Sequence, residues 1–492
     1  MLTTVLVSLL AATPGKAHAK TQASLDKISQ LDAKGPSLHA MIEVNPDALS
    51  IADALDAKLA PANAPLYGEP IVVKDNLDTG DKMQTSAGSL ALVGAPAKAD
   101  STVVAKLRAA GMVLVGKTNL SEWANLRSSH STSGWSGRGG QTRNPYATAR
   151  NPCGSSSGSG VAVAAGYVAM AIGTETDGSI VCPAAFNGVV GLKPTVGLVS
   201  RAGIVPISHR QDTAGPIAVD VAHAAKLLTV IAGPDAKDPA TAEAGAHATD
   251  YSRFLDANAL KGARIGVVRK LAGFDPAVDK VLDDAVAAMK AAGATVIDVE
   301  LPHLGEYGDD ELQGLLYDFK ADLNAYLATR TGVPVKTMAD VIAFNQRESA
   351  KEMSWFGQDL MEKAQAKGPL TEAAYVALAA KIQKLAGPEG IDAALAKDKL
   401  DALIAPTVGV PTLIDYIGGD FVSGSSPTPA AVAGYPDLSV PAGYVHGLPV
   451  GLSFFAGKWS EPKLISLGYA FEQKVHARKP ATFPVDVIHV AP

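Results

Sequence analysis

Short apolar runs alternate with amphipathic segments along much of the chain. PIVVK (70–74) and GMVLVGK (111–117) are nearly continuous apolar runs, whereas STVVAKLRAAG (101–111) carries apolar residues at helical spacing. Continuous apolar strands between amphipathic helices are typical of a sheet that is covered on both faces. The pattern predicts an α/β fold with a central mixed sheet. We expect residues 66–220 to form the central part of this fold.

The same pattern returns in the second half of the chain. ARIGVVRK (263–270) predicts a strand, VDKVLDDAVAAMKAAG (278–293) a helix and TVIDVE (295–300) another strand. Residues 309–400 predict mostly helices, and strand-like runs follow in LDALIAP, LSVPAG and LPVGLSFFAG. Since we find neither a linker nor an internal repeat, we expect one domain over residues 1–492.

Composition and charge exclude several classes of function. The chain has 492 residues, of which 47% are hydrophobic, and a formal charge of −6 without a basic block. It therefore lacks the positive surface expected of a nucleic-acid-binding protein. The longest apolar run, near 161–172, is shorter than the roughly 18 residues of a membrane span. We expect a soluble protein with no nucleic-acid or membrane partner.

The first 19 residues allow two interpretations. A helix over Thr4–Ala12 could end at TPG, or the segment could be a signal peptide cleaved after Ala17-His18-Ala19. No basic residue precedes the apolar part, which favours the helix and, with it, a cytoplasmic location. A signal peptide would instead place the protein in the periplasm or outside the cell.

Two motif matches lack the structural context that they require. GMVLVGKT (111–118) fits the phosphate-loop pattern, but its four middle residues look like a strand rather than a loop. GSSSG (154–158) fits the nucleophile elbow of α/β-hydrolases, which needs a strand directly before it, yet RNPYATARNPC (143–153) is rich in turn formers. We therefore expect neither nucleotide binding nor an elbow.

A third stretch, AMAIGTETDGSIVCPAAFNG (169–188), offers better chemistry. An apolar strand runs into a turn at Thr174–Gly178, and Ser179 stands where a helix would begin. Backbone N–H groups in such a turn favour an anion and could stabilise an oxyanion. The alternative is that Ser179 only caps the helix.

A serine nucleophile needs a base, and no histidine after this turn stands out. Lys74 follows the apolar strand Ile71–Val73, so its amine could lie in a dry cleft where desolvation lowers its pKa. The alternative is an exposed lysine at a strand end, since lysines are rarely buried.

Several motifs in order resemble the amidase signature family, over residues 38–480. They are VVKDN (72–76), CGSSSGSG (153–160), GTETDGSIVCPAAFNGVVGLKPT (173–195) and DTAGP (212–216), followed by VPAG and GLPVGL. The resemblance implies an amide hydrolase that forms an acyl-enzyme without a cofactor or a metal ion.

The resemblance also assigns roles. It implies a Ser-Ser-Lys triad in which Ser179 is the nucleophile, Ser155 the bridging serine and Lys74 the base. It further implies a cis peptide bond before Ser155, so that CGSSSGSG is a rigid relay loop and not a linker. The implied oxyanion hole consists of the backbone N–H groups of Thr176, Asp177, Gly178 and Ser179.

Three departures from the GTDTGGSIR motif that is common in this family indicate which of its subgroups the chain resembles. Glu175 replaces an aspartate, Asp177 replaces a glycine and Val181 replaces the arginine. This variant looks most like the bacterial peptide amidases, which implies a peptide or other small amide as substrate and hydrolysis of C-terminal carboxamides. The alternatives are an aryl-acylamide or amino-acid-amide hydrolase, or a non-catalytic or amidotransferase subunit.

The two cysteines, Cys153 and Cys182, lie within three residues of the two candidate serines. They form no CxxC pattern, so we expect neither zinc nor redox chemistry. We expect them to be small buried fillers. A disulfide between the two loops is the alternative.

Overall fold

The computed structural model describes residues 15–61 and 63–486. The helix predicted over Thr4–Ala12 lies outside these residues. The strands are β1 (Met41–Val44), β2 (Pro70–Lys74), β3 (Val113–Thr118), β4 (Trp135–Ser136), β5 (Gly140–Gln141), β6 (Met170–Glu175), β7 (Val190–Lys193), β8 (Thr213–Ala218), β9 (Arg264–Val267), β10 (Thr295–Asp298), β11 (Ala402–Pro406), β12 (Asp437–Val445) and β13 (Leu448–Phe455).

The helices complete the fold. They are α1 (Lys16–Leu31), α2 (Ala48–Asp56), α3 (Thr102–Ala109), α4 (Ser157–Ala164), α5 (Val181–Phe186), α6 (Val221–Ile231), α7 (Ala244–His247), α8 (Pro276–Ala291), α9 (Gly308–Thr329), α10 (Met338–Arg347), α11 (Ser349–Glu352), α12 (Asp359–Gln365), α13 (Ala373–Ala386), α14 (Ala393–Asp398), α15 (Thr428–Ala433) and α16 (Glu461–Val475).

One mixed sheet of eleven strands organises the described chain, in the order β1-β3-β2-β6-β8-β7-β12-β13-β11-β9-β10. The pairs β2–β3, β2–β6, β9–β10 and β9–β11 are parallel, and the other pairs are antiparallel. Strands β4 and β5 form a separate small hairpin. The predicted mixed sheet is confirmed.

Alternate residues of β2 show that both faces of the sheet are covered. Ile71 and Val73 belong to a core that includes residues of α3, α6, α8 and α16. Val72 belongs to a second core with residues of α1, α2 and α4. Side chains alternate across a strand, so the two cores lie on opposite faces. The prediction that the continuous apolar runs form strands buried on both faces is therefore confirmed.

Helices α9 to α14 fill the predicted helical part, and several of them pack on a third core. Phe319 and Leu323 of α9 lie there with Val341 of α10 and Met361 of α12. Within the described ranges, no helix is long and apolar enough to span a membrane.

The fold shows why neither of the two motif matches has its usual function. The last six residues of GMVLVGKT form strand β3, so its backbone is paired and cannot encircle a phosphate. Residues 142–153, all described, form turns and isolated bridges and not the strand that a nucleophile elbow requires.

Candidate active site

Two neighbouring parallel strands bring Lys74 close to the turn that precedes Ser179. Strands β2 and β6 pair in register, with Val73 opposite Ile172, so both end at the same edge of the sheet. Lys74, the last residue of β2, is fully buried. Its Nζ lies 2.8 Å from Oγ of Ser155 and 2.8 Å from Oγ1 of Thr174. The alternative of an exposed lysine is therefore wrong.

The surroundings of Lys74 favour its neutral amine. Burial lowers the pKa of Lys74 to about 7, because the charged form loses its hydration. The carboxyl groups of Asp212 and Glu175 act in the opposite direction and raise this pKa. A substantial fraction of the amine is therefore unprotonated near neutral pH.

The CGSSSGSG loop is packed inside the protein. All of residues 153–160 are buried, and the peptide bond between Gly154 and Ser155 is cis. The amide of Ser121 donates to the carbonyl of Ser155 at 3.1 Å. At Gly158 a Cβ would lie 2.2 Å from the carbonyl oxygen of Ala40, so only glycine fits there. The loop is held from several sides and is no tether.

The turn after β6 is organised by Glu175. Its carboxylate accepts from the amides of Gly178 at 2.9 Å, Ile180 at 2.7 Å and Val181 at 3.0 Å. Helix α5 therefore begins at Val181, two residues later than the sequence predicted, and has no other side-chain cap. Ser179 does not cap the helix, and the residue is buried, with 8% of its surface exposed. The cap alternative for Ser179 is thus wrong.

Glu175 engages one of the four amides that were predicted to form an oxyanion hole. The Gly178 amide is occupied by the carboxylate, so it is not available in this arrangement. The amides of Thr176, Asp177 and Ser179 donate to no acceptor within the described part of the chain. Gly178 has φ of 76°, a conformation that suits glycine and lets the turn reverse direction. Three of the four predicted donors remain.

Asp177 occupies the turn but directs its side chain away to α15. The hydroxyl of Thr428 donates to its Oδ2 at 2.7 Å. Burial raises the pKa of Asp177 to about 7, and the hydrogen bond from Thr428 acts against this shift.

A backbone hydrogen bond joins the turn that contains Ser179 to the residue after Ser155. The amide of Ser156 donates to the carbonyl of Ser179 at 3.2 Å. No hydrogen bond joins the hydroxyls of Ser155 and Ser179 themselves among residues 15–61 and 63–486. The structure thus brings Lys74 into contact with Ser155 and ties Ser179 to the next residue of the same loop. The hydroxyl of Ser179 has no hydrogen-bond partner among the described residues.

A disulfide joins the same two segments. Cys153 precedes the cis peptide bond and pairs with Cys182 of α5, and their Cα atoms are 5.9 Å apart. The expectation of two separate buried fillers is therefore wrong, although both cysteines are buried. Spacing in the sequence could not reveal the pairing, because it depends on how the loop meets the helix.

Several buried polar residues around the site had no predicted role. Asn76 donates to Oγ1 of Thr174 at 3.0 Å, and Asp212 accepts from Oγ1 of Thr176 at 2.6 Å. Lys193 is fully buried near Glu175 and lowers the pKa of that carboxyl group, against the larger effect of burial. Membership of the sequence motifs could have identified these residues. Asn76 lies in VVKDN, Lys193 in GLKPT and Asp212 in DTAGP.

A cavity of about 550 Å³ borders the turn. Thr174, Thr176, Asp212 and Asn76 contribute to its wall, whereas Ser155 and Ser179 do not line it. Within the described residues, no group of three or more His, Cys, Asp or Glu side chains is arranged to hold a metal ion.

Comparison with known proteins shows the family of this chain. The family model described as Amidase matches residues 19–465. A probable amidase of Arabidopsis thaliana is 42% identical over 473 residues, which cover 93% of this chain and 87% of that protein. The native peptide amidase of Stenotrophomonas maltophilia is 52% identical, with a TM-score of 0.90 and 95% of each chain covered.

A more distant structure shares the fold. An amidase family protein of Bacillus anthracis is 37% identical, with a TM-score of 0.87, and 95% of this chain and 89% of that chain are covered. The chain therefore belongs to the amidase family and is a hydrolase of amide C–N bonds.

Proposed function

We propose that this amidase hydrolyses the C-terminal carboxamide of peptides through a Ser-Ser-Lys triad of Ser179, Ser155 and Lys74. The observation that carries the proposal is the buried amine of Lys74, 2.8 Å from the Ser155 hydroxyl and next to a turn with three unengaged amides. Such an amine can accept a proton near neutral pH.

In the first step, Oγ of Ser179 attacks the carbonyl carbon of the substrate amide. The Ser179 proton passes to Oγ of Ser155 while the Ser155 proton passes to Nζ of Lys74. The amides of Thr176, Asp177 and Ser179 bind the oxyanion that develops. Preorganised donors of this kind are worth about 10²- to 10³-fold in rate each.

Collapse of the tetrahedral intermediate breaks the C–N bond. The proton held by Lys74 returns through Ser155 to the nitrogen, which leaves as ammonia, and the acyl group stays on Ser179. A water molecule then loses a proton to the same relay and attacks the ester carbon. Collapse of this second intermediate breaks the ester C–O bond, and the relay returns the proton to Oγ of Ser179, which gives the free peptide acid and the regenerated enzyme.

Approach of Ser179 to Ser155 completes the relay in this scheme. The Ser179 hydroxyl has no competing partner in the described residues, so a rotation about its χ1 angle breaks no hydrogen bond. Catalytic contacts are often longer in the free enzyme than with substrate bound.

The substrate proposal is supported by Val181. This residue is fully buried where the common motif has arginine, so the position offers no cation for a small anionic substrate. The 52% identity to a peptide amidase also supports a peptide amide as the substrate. By the same argument, a role in an amidotransferase is not favoured, because the arginine is absent.

Incubation with an amidated dipeptide tests the proposal. We expect ammonia and the free acid in equal amounts, and no product from Ser179→Ala. The corresponding anilide, assayed for aniline, distinguishes an aryl-acylamide hydrolase. Faster turnover of the anilide than of the dipeptide amide would contradict the proposed substrate, and full activity of Ser179→Ala would contradict the proposed nucleophile.

The disulfide supports one of the two predicted cellular locations of the protein. Because disulfides persist mainly in oxidising environments, the Cys153–Cys182 bond favours the periplasmic or secreted alternative over the cytoplasm. Recovery of the activity from the periplasmic or culture fraction of a bacterial host would support this location.

A further inference from the structure

We propose that Asp212 is a positioning residue for amide hydrolysis, which holds Thr176 in the oxyanion turn and places a negative charge near Lys74. This inference rests on the proposed function, because it gives Thr176 and Lys74 the roles assigned there. Asp212 acts through these two residues and need not touch the substrate.

The carboxylate of Asp212 joins the turn to the loop before β8. Its Oδ1 accepts from the hydroxyl of Thr176 at 2.6 Å. Its Oδ2 accepts from the amides of Ile207 at 2.8 Å and Ser208 at 2.9 Å. Both oxygens are therefore engaged, which fixes the orientation of the carboxylate and, through it, the side chain of Thr176.

The neighbouring residue holds the backbone of the same threonine. Nε2 of Gln211 donates to the carbonyl oxygen of Thr176 at 3.4 Å and to Oε1 of Glu311 at 2.7 Å. The Thr176 carbonyl shares a planar peptide unit with the Asp177 amide, so fixing the carbonyl also fixes that N–H group. Asp212 thus orients the side chain of Thr176, and Gln211 orients its backbone.

Orientation matters because oxyanion donors act only when they point to the developing charge before the reaction begins. Gly178 in this turn has no Cβ to restrict its backbone, so the turn depends on contacts from side chains such as Glu175 and Asp212. Loss of the Asp212 contact would let the turn sample orientations in which Thr176 and Asp177 point elsewhere. The cost would fall on kcat more than on KM.

The charge of Asp212 has a second consequence. The carboxyl groups that raise the pKa of Lys74 are those of Asp212 and Glu175. Asp212 itself faces Asp322 and Arg201, and burial raises its own pKa to about 6. Asp212 is therefore mainly charged at neutral pH. Without that charge, the pKa of Lys74 falls and the acid limb of the pH–rate profile moves to lower pH.

Three variants separate these effects. Asp212→Asn removes the charge and should lower kcat by about 10- to 100-fold, with the acid limb shifted to lower pH. Thr176→Val removes the hydroxyl and should lower kcat similarly with a smaller shift of the limb. Asp212 keeps its carboxylate and its two amide hydrogen bonds, although loss of the Thr176 hydroxyl raises its pKa. Thr176→Ser keeps the hydroxyl and should retain most of the activity.

Asp322→Asn is the matched control. It removes a nearby carboxylate that contacts His209 and not Thr176. We expect kcat and the acid limb of this variant to stay close to those of the unmodified enzyme. If Asp212→Asn and Thr176→Val act through one contact, the double variant should be no slower than the slower single variant.

The results separate the two proposals. An inactive Ser179→Ala together with a wild-type kcat in Thr176→Val or in folded Asp212→Asn overturns the role of Asp212 alone. An unmoved acid limb in Asp212→Asn overturns its electrostatic part. Full activity of Ser179→Ala overturns the proposed function itself. If Asp212→Asn does not fold, Thr176→Val against Thr176→Ser still decides whether the contact matters.

Discussion

Nζ of Lys74 lies 2.8 Å from Oγ of Ser155, although 81 positions separate the two residues in the chain. The contact forms where the end of strand β2 meets the loop that leads into α4. Both side chains are fully buried, so neither polar group can be satisfied by bulk water. A buried amine paired with a hydroxyl is an arrangement suited to proton transfer, and it supplies the most direct test of the mechanism.

Replacement of Lys74 by methionine should lower kcat by about 10²- to 10⁴-fold, because the variant has no group that can accept the Ser155 proton. Methionine retains a similar length and fits the buried site. Steady-state ammonia release from an amidated dipeptide measures the effect.

Lys117→Met is the matched control for this variant. Lys117 is also a fully buried strand lysine, but it contacts the carbonyl of Leu77 and the hydroxyl of Thr85 and not the serines. It should lose thermal stability while kcat per folded molecule stays far above that of Lys74→Met. Equal losses of kcat in both variants would argue against a specific base.

Ser155→Ala should reduce kcat strongly, since it breaks the relay between nucleophile and base. Ser157→Ala is the comparison within the same buried loop, because the Ser157 hydroxyl donates to the carbonyl of Cys153 at 2.6 Å and not to Lys74. We expect Ser157→Ala to be the more active variant by about tenfold or more. The reverse order would remove Ser155 from the mechanism.

Activity should rise with pH through about 7. The base must be unprotonated, and burial lowers the pKa of Lys74 to about 7, so the active form is lost as pH falls through that value and is complete above it. A profile of kcat/KM between acid and alkaline pH measures this limb in the free enzyme. Constant activity down to pH values far below 7 would be incompatible with a lysine base.

Removal of the disulfide should lower the free energy of unfolding by roughly 3 to 4 kcal/mol, because the bond closes a loop between positions 29 apart. The double variant Cys153→Ser/Cys182→Ser tests this by denaturant unfolding. In the unmodified protein unfolded by denaturant, thiol reagents should label neither cysteine until a reductant is added. Labelling before reduction would show that the bond is absent.

Gly158→Ala should destabilise the protein by about 1 to 3 kcal/mol. The added Cβ would lie 2.2 Å from the carbonyl oxygen of Ala40 and 2.6 Å from that of Asn119, and backbone atoms cannot easily move away. Gly245→Ala is the control, since its Cβ would have its nearest neighbour at 3.9 Å. Similar unfolding midpoints for the two variants would contradict close packing around the loop.

The chain alone determined the main architecture and the candidate residues. Continuous apolar runs such as Ile71–Val73 predicted strands buried on both faces, because a run without polar alternation has no face to present to water. The motif order then pointed to Lys74, Ser155 and Ser179. The strands could be predicted because each apolar run is local in the sequence, whereas the roles of these three residues were implied by the resemblance to the amidase signature family.

Tertiary structure decided everything that depends on which segments meet. Glu175 occupies the Gly178 amide and moves the start of α5, Cys153 pairs with Cys182, and Asp212 reaches Thr176. The disulfide and the Asp212–Thr176 contact cannot be inferred from spacing, because each depends on how segments distant in the chain pack together. Glu175 lies only three residues before Gly178, but the direction of its side chain is set by the folded turn. The pKa of Lys74 is likewise a property of burial, which exists only once the sheet has formed.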